Sequence, residues 1–174
     1  MKKSIAIALL FVSCVLPLAA HVVVPTNVVL KHGDLEKLSD FAARGEFAEK
    51  VWAGFERETI EALGPEVARL LPGGALEITF ADIDRAGDVN TMQNRGDTKV
   101  RYFKEIYPPR TSFDYVLKDG KGTTVLAGKA RLQDLDFQMN LSPRRNSMEF
   151  FYEVEMLRNW IHRDLAKALA AKTP

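Results

Sequence analysis

Cysteine is almost absent from this chain of 174 residues: Cys14 is the only one. Everything after it lacks the means for an internal disulfide, a thiolate metal site or a cysteine nucleophile. A surplus of one charge is missing too. Lys and Arg total 24 against 23 Asp and Glu, which leaves no electrostatic footprint for nucleic acid and no polybasic attraction to anionic lipid. Histidine is scarce: His21, His32 and His162 stand far apart, and none belongs to a helical zinc motif. Ser39, Ser112, Ser142 and Ser147 have no glycine-flanked setting of the kind that holds a hydrolase nucleophile on a sharp elbow. No glycine-rich loop leads from a strand into a helix, because Gly73-Gly74 precedes a strand instead. A phosphate cradle at a helix start is therefore excluded, and no cofactor is expected.

Long apolar runs are also lacking, with one exception at the start. Lys2 and Lys3 precede a nearly unbroken apolar run from Ile5 to Leu18, followed by Ala19-Ala20. Charge, apolar core and small-residue exit are the parts of a secretory signal peptide. The run is short of the ~20 apolar residues of a membrane-spanning helix. The expectation is a periplasmic protein, with residues 1–20 removed after Ala20 and a mature form starting at His21. Leu18 is larger than usual at the third position before the cut. A rival reading makes Cys14 the lipidated first residue of a lipoprotein. Phe11 fits that poorly, and the apolar run continues past the cysteine through Val15, Leu16 and Leu18. Loss of Lys2 and Lys3 leaves 22 basic against 23 acidic residues. Residues 21–174 are of ordinary size for one domain whose stability must come from its core.

Periodicity gives the architecture. His21 to Leu30 reads as extended and valine-rich, with Pro25 marking an edge or a break. Lys31 to Arg44 reads as a loop with room for a short helical turn. Glu46 to Leu63 repeats apolar residues at helical spacing, and Gly64-Pro65 predicts its end, with Pro65 opening a short further turn through Leu70. Leu76, Ile78 and Phe80 alternate with Glu77, Thr79 and Ala81 as a half-buried strand, followed by a polar connection from Asp82 to Gly96. Val100 to Tyr107 predicts a second strand, ended by Pro108-Pro109. Phe113 to Leu117, a Lys118–Gly122 turn and Thr123 to Leu132 form a hairpin pattern. Phe150, Val154, Leu157, Ile161, Leu165 and Ala168 then recur along a last helix, with Asn146 and Glu149 as its capping pair. The expected fold is α+β: a mainly antiparallel sheet of four to five strands, with two amphipathic helices packed on one face. Trp52 and Trp160 are assigned to packing.

Two constellations carry chemical interest. Asp82, Asp84, Asp88 and Asn90 place oxygen ligands near one another, as a calcium ion needs. The loop template fails at Ala86 and at Gln93, where an oxygen ligand and a bidentate glutamate belong. A low-affinity cation site at Asp82, Asp84 and Asp88 competes with a polar strand end that bonds its own turn. Tyr107-Pro108-Pro109-Arg110 is a stiff stretch flanked by an aromatic and a cation. It reads either as a binding patch for a partner or acidic group, or as a rigid corner between strands. Asp134, Tyr152 and Glu153 form a further candidate polar cluster.

Several of these stretches fall in a recognisable order: Leu71-Pro72-Gly73-Gly74, then Asp82-Ile83-Asp84 with Ala86-Gly87, then Val100-Arg101. Ile106-Tyr107-Pro108-Pro109-Arg110 and Asp134-Leu135 follow, and Tyr152-Glu153, Met156-Leu157 and Trp160 close the series. Together they resemble an exported proteobacterial family, the domain of unknown function 3016, over roughly Leu71 to Trp160. Arg85 departs from the pattern, which expects leucine. The resemblance implies export and a single domain, and it supplies no mechanism.

The leading expectation is a non-catalytic envelope module that binds an envelope protein or a small ligand. The alternatives are a small periplasmic hydrolase or metal-binding protein using acids near Asp82, with Glu153, and a structural subunit assembling through a sheet edge. Cleavage after Ala20 carries a direct test. Cys14→Ser is expected to leave processing and solubility unchanged, as read by intact mass and fractionation; retained precursor would support lipidation.

Overall fold

The computed structural model describes residues 27–43, 46–89, 100–140 and 142–172. The signal-peptide expectation, His21, Cys14, Asn90 and Gln93 lie outside the described residues.

Strands β1 (Val28–His32), β2 (Ala75–Asp84), β5 (Arg110–Lys118) and β6 (Thr124–Gln133) form one sheet in the order β1-β2-β5-β6. β1 runs parallel to β2, and the other pairs are antiparallel. A small second ribbon joins β3 (Asp88–Val89) to β4 (Arg101–Tyr102). Helix α1 (Ala48–Leu70) and the carboxyl-terminal helix pack on one face of the sheet. The latter comprises α2 (Phe151–Trp160), a π turn (Ile161–Leu165) and α3 (Ala166–Lys172). The α+β expectation is met, with the sheet mixed through β1.

Aromatic rings bind these layers together. Phe55 of α1 meets Phe80 of β2 at 5.5 Å and Phe150 at 5.5 Å. Phe80 meets Phe113 of β5, which meets Trp160 of α2 at 4.9 Å. Each contact is edge-to-face, and such pairs contribute ~0.5–1.5 kcal/mol beyond their area burial. Trp52 and Trp160 are both buried, so the packing assignment holds. Leu76, Ile78 and Phe80 face the core as alternation predicts.

Four local expectations need correction. Gly64-Pro65 does not end the first helix, which continues to Leu70 with Pro65 inside it. Leu63 and Val67 are fully buried on either side of the proline, and Asn27 Nδ2 donates to the Gly64 carbonyl at 2.9 Å. Burial of the following turn outweighs the hydrogen bond that proline removes. β2 does not stop at Ala81 but runs to Asp84. A bulge between Phe80 and Asp82 shifts its register, so Ile83 rejoins the core. Val100 to Tyr107 is not one strand: only Arg101 and Tyr102 pair. Beyond them the Tyr107 N–H donates to the Lys104 carbonyl, closing a turn, and Ile106 is exposed.

The fourth correction concerns the last helix. Asn146 lies in the three-ten turn Pro143–Asn146, and the helix begins later, at Phe151, with no side-chain cap of its own. The amides of the two residues just before it are served from another element. The Glu58 carboxylate of α1 accepts from Glu149 N at 3.2 Å and Phe150 N at 3.0 Å. An acid at this end also complements the helix dipole. Glu58→Ala is therefore expected to destabilise the fold by about 1–2 kcal/mol. Glu58→Gln, which keeps an acceptor, is expected to cost less. Urea unfolding of both variants measures it.

Candidate functional site

The bulge after Phe80 sets the site. Before it, even-numbered residues of β2 point under the helices. After it, Ile83 points inward while Asp82 and Asp84 turn to the open face of the sheet. On β5, Arg110 and Ser112 lie opposite Asp84 and Asp82. On β6, Gln133 and Arg131 lie opposite Arg110 and Ser112. These side chains, with Ser39, line an open polar pocket of about 370 Å³.

Charges of both signs meet there. Arg110 Nε lies 3.9 Å from Asp84 Oδ2. Partial burial pushes the Asp84 carboxyl up from its ordinary range, Arg110 opposes the shift, and the neighbouring Asp40 and Asp82 add to it. Asp82 is occupied otherwise: its two oxygens accept from Ser39 N at 2.8 Å and Ser39 Oγ at 2.9 Å. It ties the loop before α1 to the rim of the pocket. Arg101 holds the same loop, pairing with Asp40 at 2.6 Å while donating to the carbonyls of Ala86 and Gly87. Gly87 itself has φ +78°, and a Cβ there would stand 2.6 Å from the Tyr102 carbonyl oxygen. Only glycine fits that crossing.

The residues singled out by sequence divide between places. Asp82, Asp84 and Arg110 share the pocket. Pro108 and Pro109 are buried and form the corner leading into β5, while Tyr107 is exposed just before them. Asp88 stands apart on β3, opposite Tyr102. Among the described residues no group of three or more His, Cys, Asp or Glu side chains is placed to hold a metal ion.

Glu153 is not part of the pocket. Buried on α2, it accepts from Ala86 N at 2.7 Å. Burial pushes its carboxyl upward, against the pull of the Arg85 guanidinium. Arg85 is itself buried, lies 4.3 Å from the centre of the Phe150 ring and reaches Glu149 at 3.4 Å. Burial lowers its own value, and Glu153 works against that. Arg85 is thus a buried cation stacked on an aromatic ring. Tyr152 packs among Phe103, Phe137 and Phe151 in a small second core. Asp134 bonds its own turn through Asp136 N. The three do not form one cluster.

The model of a family of proteins of unknown function (DUF3016) matches residues 26–163. The chain belongs to this family. No curated protein and no solved structure matches it. The family carries no function, so the chemistry rests on the pocket. No helix among the described residues is long and apolar enough to cross a membrane.

Ser112, Arg131 and Gln133 are pocket residues that motif reading passed over. Their signal was alternation: Arg131 and Gln133 recur at the period of two that puts side chains on one face of a strand.

Glu153 gives a pH test. A carboxyl raised by folding stabilises the fold fully below its ordinary value of 4.5. That contribution is lost as pH rises through the raised value. Glu153→Gln keeps an acceptor for Ala86 N and removes the titration. The variant is expected to lose less stability than the parent as pH climbs from acid to neutral, measured by urea unfolding; parallel curves would contradict the assignment.

Proposed function

We propose that the protein is an exported, non-catalytic binding or accessory module of the cell envelope, with the pocket between Asp84, Arg110 and Arg131 as its ligand site. The observation that carries this is the convergence of carboxylate and guanidinium groups on three adjacent strands at one polar pocket. Arg110 and Arg131 offer planar donors suited to a carboxylate. Asp84 offers an acceptor for an ammonium or hydroxyl group. Export rests on the composition of residues 1–20 and on the family resemblance. Binding rather than catalysis is favoured by the state of the acids: Asp82 is engaged by Ser39, and Glu153 is buried elsewhere.

The test is native mass spectrometry of the protein recovered from the periplasmic fraction, compared with Arg110→Ala. The parent is expected to start at His21 and to carry a non-covalent companion. The variant is expected to retain it about tenfold less well. Arg110 is half exposed, so its loss is expected to change stability by less than about 1 kcal/mol. An uncleaved chain in the membrane fraction would end the export reading. Equal retention would end the pocket reading, and turnover across a hydrolase panel that disappears in Asp82→Asn would replace binding with catalysis.

A further inference from the structure

β6 is the last strand of its sheet, and no described strand pairs with its outer edge. Its final residues have a second property. Arg131, Leu132 and Gln133 line two cavities at once: the 370 Å³ pocket on the open face, and a groove of about 410 Å³ on the helix face. Met156, Asn159, Trp160 and Arg163 form the helical wall of that groove. At its start the Val125 carbonyl accepts from Lys172 Nζ at 2.8 Å, and beyond it an edge that no described strand pairs with, flanked by a cavity on either side, can accept another strand. Main-chain hydrogen bonds run along the edge, and successive side chains of the incoming strand point to opposite faces, one set toward each cavity.

Charge selects the occupant. Between Thr124 and Gln133 the strand carries Lys129 and Arg131 and no acid. Lys129 is paired with Asp114 at 3.1 Å. Arg131 lies opposite Ser112 on β5, so the sheet supplies it with no cross-strand acid. On the helix side Arg163 is set among Asp134, Asp136 and Asp164, so that groove does not select an acid, and the acid-selecting charge is Arg131 on the open face. A second copy is disfavoured. Antiparallel pairing of two β6 strands centred on Lys129 or Ala130 sets Lys129 opposite Lys129 or opposite Arg131, and like charges in that position repel. An acidic side chain opposite Arg131 attracts instead.

We infer that the β6 edge binds an extended, acidic segment of a partner protein by strand addition, with Arg131 reading an acid on the open face. This rests on the binding-module reading and names its partner's chemistry. The probe is an amidated peptide of alternating glutamate and valine, added to the isotope-labelled full chain, with a lysine–valine peptide as control. Amide shifts are expected to concentrate at Leu126–Gln133. Hydrogen exchange is expected to slow at alternate β6 amides, as only a new ladder would produce. Arg131→Glu, an exposed substitution, is expected to weaken the glutamate peptide about tenfold and to strengthen the lysine peptide. Absence of β6 protection, or equal binding by parent and variant, overturns the inference. Peptide shifts confined to Asp84 and Arg110 overturn it as well, yet leave the pocket reading standing. Equal retention of the native companion by parent and Arg110→Ala, with an intact β6 response, would do the reverse.

Discussion

One extra residue in β2 decides what the open face of the sheet can do. Phe80 pairs with Phe113, and two residues later Asp82 pairs with Ser112, the very next residue down β5. Without the bulge, Asp82 and Asp84 would point under the helices and Ile83 into water. Two ionised carboxylates in that aromatic interior would cost several kcal/mol each, even after relaxation. The bulge exchanges them. Ile83 completes the core at 1% exposure, and the two acids join Arg110, Ser112 and Arg131 outside. Bulges that re-aim side chains near functional sites are a recurring device of antiparallel pairs.

The helices depend on a different economy. α1 and the last helix share an aromatic contact at Phe55 and Phe150 and one apolar core, and charged groups bridge them alongside it. Glu58 serves two amides just before the second helix. Glu66, itself buried, takes Nε and Nη2 of Arg158, each at 3.0 Å. A buried carboxylate held by a guanidinium is costly to break from one side and adds modest net stability when intact. Its clearer effect is register: with acids at Glu58 and Glu66 bonded to the far helix, α1 cannot slide by a turn without stranding them. The sheet face under the helices is thereby fixed, and so is the position of the strands that carry the pocket.

Much of this was legible from sequence where one period ran unbroken. Leu76, Ile78 and Phe80, the hairpin after Lys118, and the stripe from Val154 to Leu165 all formed as their spacing predicts. What failed had a long-range cause. The bulge breaks alternation at Ala81, so a strict period of two reads Asp82-Ile83-Asp84 as a loop. Pro65 looked terminal because its local penalty is visible, whereas the burial of Val67 that outweighs it depends on the rest of the fold. The cap from Glu58 reaches across more than ninety residues, and no local motif encodes it. For the site, Asp82, Asp84 and Arg110 were legible as unusual residues. Their meeting was not, because it follows from strand order and register.

The same register bears on why the site suits recognition. Asp84, Arg110 and Gln133 form one row across three strands, with Asp82, Ser112 and Arg131 in the next. Neighbouring strands are about 4.8 Å apart, so backbone hydrogen bonds fix the spacing of the groups before any ligand arrives. A ligand matched to that lattice orders few new side chains, and preorganisation of this kind lowers the entropic cost of binding. The row also ends at the outer edge of β6, with which no described strand pairs. Any strand added there extends the same lattice by one column. The pocket and the edge are thus two parts of one surface, and a partner that pairs with the edge gains the pocket's charges at the spacing its own backbone already has.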